Sequence, residues 1–195
     1  TTEIYTLSLH DALPIYGTGF LCERNSWVID VNDRGEAVGV TMSVADRPET
    51  RRGFFWSPDS GARLSRRDEG VEAAALTGIN NDGIAVGHWI DWSAAELALR
   101  WNTRSGIVQD IPQFDWLYLV TVSGISESGS VVGCAWKSPF FADGRNTVRL
   151  RGYTCGTTTG WGPDREWITL SEAGAVNSGG TVVFNDYPAG PMRWN

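Results

Sequence analysis

The feature that most constrains this chain is an internal repeat. The segments WVIDVNDRGEAVGV from Trp27, LTGINNDGIAVGHW from Leu76, VSGISESGSVVGCAW from Val122 and AGAVNSGGTVVF from Ala173 align without gaps. Gly35, Gly83, Gly129 and Gly180 are equivalent, which spaces the copies by 48, 46 and 51 residues. Four residues before each Gly stands Val31, Ile79, Ile125 or Val176, and three before it stands Asn32, Asn80, Ser126 or Asn177. Three after it, Val38, Val86, Val132 and Val183 form a column with one residue type in all four copies. A unit of this size cannot bury both of its faces alone, so the copies must stack.

Each copy reads as a hairpin. An apolar strand enters a turn in which Asn or Ser bonds the backbone and Gly supplies the positive φ of a three-residue loop. The second strand alternates, with Val38, Val40, Met42 and Val44 on one face and smaller residues on the other. The small column Gly39, Gly87 and Gly133 predicts close approach by a neighbouring sheet.

Two copies continue into a third strand and a second turn, ending at Trp56 then Gly61 and at Trp101 then Gly106. Fourth strands are expected near 62–65 and 107–111. Met192, Arg193 and Trp194 stand where the fourth copy's third strand finishes, so its last strand is expected to be missing or supplied by 16–22 as a closing strand. Residues 93–99 have helical propensity, but the alternation of Leu97, Leu99 and Trp101 matches the earlier repeat and argues strand. Little or no helix is expected.

Four strands per repeat with turns at fixed places predict an all-β chain: a β-propeller or propeller fragment of about four blades, each a four-stranded antiparallel sheet. The pair of motifs, G-I-N-x-x-G-x-V-V-G followed by an aromatic-x-W strand, resembles the HAF family of extracellular bacterial repeats over about residues 27 to 194. The chain departs from that family in Phe54, Phe55 and Trp56 and in Leu99, Arg100 and Trp101, where the name-giving residues would stand. The third copy departs further, with an insertion-like stretch at 149–162 and no clear third-strand Trp. The resemblance implies an extracellular or cell-surface location. It assigns no chemistry to any residue.

Residues 1–15 are similar to a translated sequencing-adapter fragment and are read as an adventitious tag, the alternative being an edge strand with Ile4, Leu7 and Leu9. The stretch lacks the basic and apolar regions of a signal peptide. Residues 16–195 are read as one repeat domain.

Charge narrows the partners. With 16 basic and 23 acidic residues, the net charge of −7 removes the usual electrostatic footprint for nucleic acid. No stretch approaches the ~18 apolar residues of a membrane span. Three cysteines allow at most one bridge; Cys134 with Cys155 is favoured if the compartment is oxidising, leaving Cys22.

In a propeller, the tight turns share one rim, expected to be featureless, and the longer loops share the other. The loops at 45–52, 65–75, 91–96, 110–120, 137–147 and 150–172 carry Asp91, Trp92, Asp115, Trp116, Asp143, Arg145, Trp161 and Asp164. Aromatic planes beside charges suit sugars or polar polymers, and loops on a rigid scaffold are the usual place for binding. These tryptophans equally suit covers over gaps between blades. Trp27, Trp56, Trp101 and Trp194 are assigned to the core.

His88 shares the column of Val40, Cys134 and Asn185 and reads as a structural histidine rather than a base. No cluster of ligands with metal spacing is present, and the run from Asp30 to Gly35 reads as a turn, since Arg34 stands where a calcium ligand should. Asp91 with Asp115, or Asp164 with Glu166, are the carboxylate pairs that would serve a glycoside-cleaving enzyme. No nucleophile elbow or dinucleotide fingerprint occurs. The expected function is therefore non-enzymatic binding of glycan, polysaccharide or a surface protein, without cofactor or metal. The alternatives are a carbohydrate-acting enzyme and a structural spacer.

Overall fold

A computed structural model describes residues 25–42, 51–65, 71–91, 96–111, 120–135, 138–143, 146–150, 157–158, 170–171, 176–177, 179–186 and 190–194. All secondary structure among them is β, and none of it is helix. The first copy forms β1 (Asn25–Val31), β2 (Ala37–Met42), β3 (Arg51–Ser57) and β4 (Gly61–Leu64). The second forms β5 (Val71–Ile79), β6 (Ile84–Asp91), β7 (Glu96–Asn102) and β8 (Val108–Asp110). The third forms β9 (Val120–Ile125), β10 (Val131–Ala135), β11 (Ser138–Ala142) and β12 (Thr147–Arg149). Each is a four-stranded antiparallel sheet in sequence order, and none closes on itself. The propensity conflict at 93–99 resolves as strand, because Leu97, Leu99 and Trp101 pair with Trp89, Gly87 and Ala85.

A bulge recurs in every first strand, skipping Ile29, Thr77 and Ser123 in the pairing to the second strand. The bulge accounts for the glycine column. A Cβ on Gly39 would collide with the carbonyl oxygen of Trp27, one on Gly87 with that of Ala75, and one on Gly133 with that of Thr121. Rings of Phe54 and Phe140 press on Gly39 and Gly133 from the third strand. The close approach expected from a neighbouring sheet thus comes from inside the same sheet.

The fourth copy is smaller. β15 (Val182–Asp186) pairs with β16 (Gly190–Trp194), and only the bridge Val176 to Val182 represents its first strand among the described residues. Phe184 stands in the glycine column here, pairing with Met192. Between the third and fourth copies, β13 (Thr157–Thr158) pairs with β14 (Leu170–Ser171).

The copies stack face on face, with the first strand of one sheet lying on the middle strands of the sheet before it. Each hydrophobic cluster spans a junction. Val38 and Phe55 of the first sheet pack with Leu76, Ile79 and Trp101 of the second. Val86 and Ala98 pack with Val122, Val131 and Phe140 of the third, and Val132 packs with Val182. Burying such side chains stabilises by about 1.5–3 kcal/mol each, which accounts for Val38, Val86 and Val132 in the valine column.

Two expectations are corrected. Trp101 is buried and Trp56 half-buried, but Trp27 is 48% exposed, because no sheet among the described residues covers it. The side chain of Trp194 lies outside the described residues. The third copy is complete before its insertion: Pro139, Phe140 and Phe141 form its third strand, with Ala142 pairing Val131 where Trp56 and Trp101 stand in the earlier copies. No helix among the described residues is long and apolar enough to cross a membrane.

Candidate functional site

The tight turns are built identically. In each, the N–H of the Gly bonds the carbonyl of the residue three earlier: Gly35 to Asn32, Gly83 to Asn80, Gly129 to Ser126 and Gly180 to Asn177. Their φ values are 72°, 74°, 83° and 79°, the left-handed region that Gly enters without a Cβ penalty. Asn32 Oδ1 accepts from the N–H groups of Arg34 and Glu36 at 3.0 Å, and Asn80 and Asn177 repeat the pattern. Ser126 Oγ keeps one of these bonds, accepting from Ser130 N–H at 3.0 Å.

The turns are expected from sequence to be featureless; instead they bond to one another from copy to copy. Asn32 Nδ2 donates to the Asn80 carbonyl at 3.0 Å, and Asn80 Nδ2 donates to the Ser126 carbonyl at 3.3 Å. One position on, Asp33 N–H donates to Asn81 Oδ1 and Asn81 N–H to Glu127 Oε2, both at 2.9 Å. Asp30, in the run first weighed as a calcium loop, accepts from Val31 and Ile79 N–H groups. The turns thus form a hydrogen-bonded ladder running across the sheets.

Outside the ladder, the first junction is filled by stacked side chains. The rings of Phe55 and Trp101 meet edge to face at 6.1 Å. Arg63 lies 4.8 Å from the Phe55 ring centre and 5.9 Å from that of Trp101, and donates to the Thr103 carbonyl at 2.7 Å. The register assigns the same places at the second junction to Arg100, Gln109 and Ala142. Gln109 does not reproduce the cationic stack, and Ala142 is far smaller than the indole it stands in for.

A cavity of about 80 Å³ opens there. The second sheet lines it with Arg100, Gln109, Asp110 and Ile111. The third sheet contributes Val131, Ala142, Asn146 and Thr147. Arg100 is half-buried and reaches over Gly129, its Nη2 3.1 Å from where a Cβ would stand. The chemistry is mixed: guanidinium and carboxamide donors, a carboxylate acceptor and an apolar floor. Such a set offers both donors and an acceptor for hydrogen bonds beside an apolar surface.

Of the residues proposed from sequence, Asp143 lies beside this cavity. The 143–146 segment is the turn between β11 and β12, not a loop on the opposite rim, since Ala142 pairs with Thr147. Asp143 Oδ1 accepts from Asn146 N–H at 2.8 Å, which fixes the turn that presents Asn146 and Thr147. Asp91 ends β6, with its side chain outside the described residues. Trp92, Asp115, Trp116, Arg145, Trp161, Asp164 and Glu166 also lie outside them. Sequence reasoning missed Arg100, Gln109, Asp110 and Asn146. The available signal was the break in two repeat columns, Trp to Ala and Arg to Gln, which reading 137–147 as a loop concealed.

His88 is half-buried, in register with Ala75 and Ala98. Cys134 is fully buried and disulfide-bonded; Cys22 and Cys155 lie outside the described residues. Among the described residues no cluster of His, Cys, Asp and Glu is placed to hold a metal ion. No protein-family model matches the chain, and no curated protein matches it.

Proposed function

We propose that this chain is a non-enzymatic binding module of β-propeller type, acting outside the cell and recognising a hydroxyl-rich polymer such as a neutral polysaccharide. The cavity between the second and third sheets is its binding site. The observation that carries this reading is the loss of filler at the second junction, where the stacked Arg and Trp of the first give way to a cavity with an apolar floor and polar groups at its edge. At about 80 Å³ the cavity takes one protruding group of a sugar, with the ring resting outside. The disulfide at Cys134 supports an oxidising compartment, in keeping with the HAF resemblance.

Calorimetric titration of soluble neutral polysaccharides tests this reading. One sugar class is expected to bind, and Arg100→Ala and Asp110→Asn are each expected to weaken it by about tenfold or more, as for loss of a charge-assisted hydrogen bond. Binding that ignores both substitutions would place the site elsewhere.

A further inference from the structure

Cys134 is fully buried and disulfide-bonded, and its place in β10 shows which junction that bond serves. Side chains alternate along the strand. Val131 and Ala135 pack toward the second sheet, so Val132 and Cys134 face the other way, where Val132 packs with Leu150 and Val182. The other cysteines of the chain are Cys22 and Cys155. Leu150 and Thr157 bracket Cys155. Five residues before it, Leu150 is buried against Val132 and donates its N–H at 2.9 Å to the carbonyl of Pro139, the residue paired with Cys134. Two residues after it, Thr157 opens β13, which pairs with β14; β14 in turn lies against β9, where Thr121 pairs with Cys134. Five residues span at most about 17 Å and two about 7 Å, and bridged Cα atoms stand about 4.4–6.8 Å apart, so both flanks bring Cys155 within reach. Cys22 instead stands three residues before β1, and the second sheet packs between the first and the third.

We propose that Cys134 and Cys155 form the bridge and that it is a redox-sensitive latch on the third junction, tying β13 and the fourth copy to the third sheet only while oxidised. A dithiol opens it by exchange: the S–S bond breaks, the two sulfurs take up two electrons and two protons to become thiols, and the dithiol closes to its own disulfide. The junction is then left with the packing of Val132, Leu150 and Val182. The clusters at the first two junctions contain no cysteine, so their stacking does not depend on the bridge. The inference is independent of the cavity, which lies at the second junction.

Non-reducing peptide mapping of the full chain by mass spectrometry reads the pairing, and amide hydrogen exchange before and after dithiothreitol reads the latch. A cross-linked peptide pair holding Cys134 and Cys155 is expected, with Cys22 outside it. Reduction is expected to remove protection from 170–171 and 182–186 while 84–91 and 97–102 keep theirs. Cys155→Ser is expected to show the reduced pattern without reductant, and Cys22→Ser the oxidised pattern of the wild type. Because Cys134 is fully buried, Cys155→Ser carries the test where the reductant does not reach the bond, and reduction of the folded wild type carries it where the variant does not fold. A peptide pair joining Cys134 to Cys22 overturns the pairing. Protection that survives opening of the bridge, or that is lost equally from all sheets, overturns the latch.

Discussion

Asn32 and Asn80 stand 48 residues apart and perform the same task one sheet apart, with the Nδ2 of the first donating to the carbonyl of the second at 3.0 Å. Each asparagine ties its own turn through Oδ1 and the next turn through Nδ2. One side chain thereby sets both the hairpin and the spacing between sheets, linking local turn chemistry to the stacking of the whole array.

Asn80 is buried, so its loss leaves the N–H groups of Asp82 and Ile84 and the Ser126 carbonyl without this partner. Asn80→Ala is expected to destabilise by about 2–4 kcal/mol, since each unsatisfied buried group costs about 1–3 kcal/mol. Asn177→Ala, at the exposed end, is expected to cost about 1 kcal/mol. Urea unfolding with an unchanged slope measures both.

Ser126 is the one member of its column that cannot send an amide to the next copy. Ser126→Asn restores the acceptor for the turn and adds the missing rung toward Asn177. The expected gain is about 1 kcal/mol, read as a melting temperature raised by a few degrees.

Glycines that look alike in sequence separate in the structure. Gly87→Ala drives a Cβ into the Ala75 carbonyl and is expected to cost about 3 kcal/mol or prevent folding, the overpacking limit. Gly124 has open space around a built Cβ and no positive φ. Gly124→Ala is expected to be neutral or stabilising by up to about 1 kcal/mol. Parallel thermal melts would show the contrast.

Arg63 stacks between rings belonging to two sheets, so its shape matters along with its charge. Arg63→Lys is expected to cost about 1 kcal/mol, and a double-mutant cycle with Trp101→Leu to return a coupling of about 0.5–1 kcal/mol. Zero coupling would mean that the stack contributes nothing.

Much of the fold was legible in the residues. The positive-φ Gly of each turn, the buried valine column and the strand at 96–102 follow from short-range chemistry that repeats in register. What was not legible depended on distances between copies. The Gly39, Gly87 and Gly133 column announced close packing, but only the bulge shows that the pressure comes from the first strand's own carbonyl. Trp27 reads as core by type, yet its exposure depends on what lies against β1. The cavity was hidden because Pro139 to Ala142 carries no Trp, so 137–147 reads as a loop in the sequence although it holds β11 and the turn to β12. Once Ala142 is set beside Trp56 and Trp101, the missing indole can be read from the sequence itself.

The central claim is that the second junction binds because its filler is missing, and refilling it is the most direct test. Ala142→Trp puts the indole of the first junction back at the second without placing a further charge beside Arg100. Calorimetry with the polysaccharide class bound by the wild type, alongside a thermal melt, is the measurement. The account predicts that the refilled variant melts at or above the wild-type temperature and no longer binds. A variant that folds as stably and still binds with wild-type affinity would contradict it.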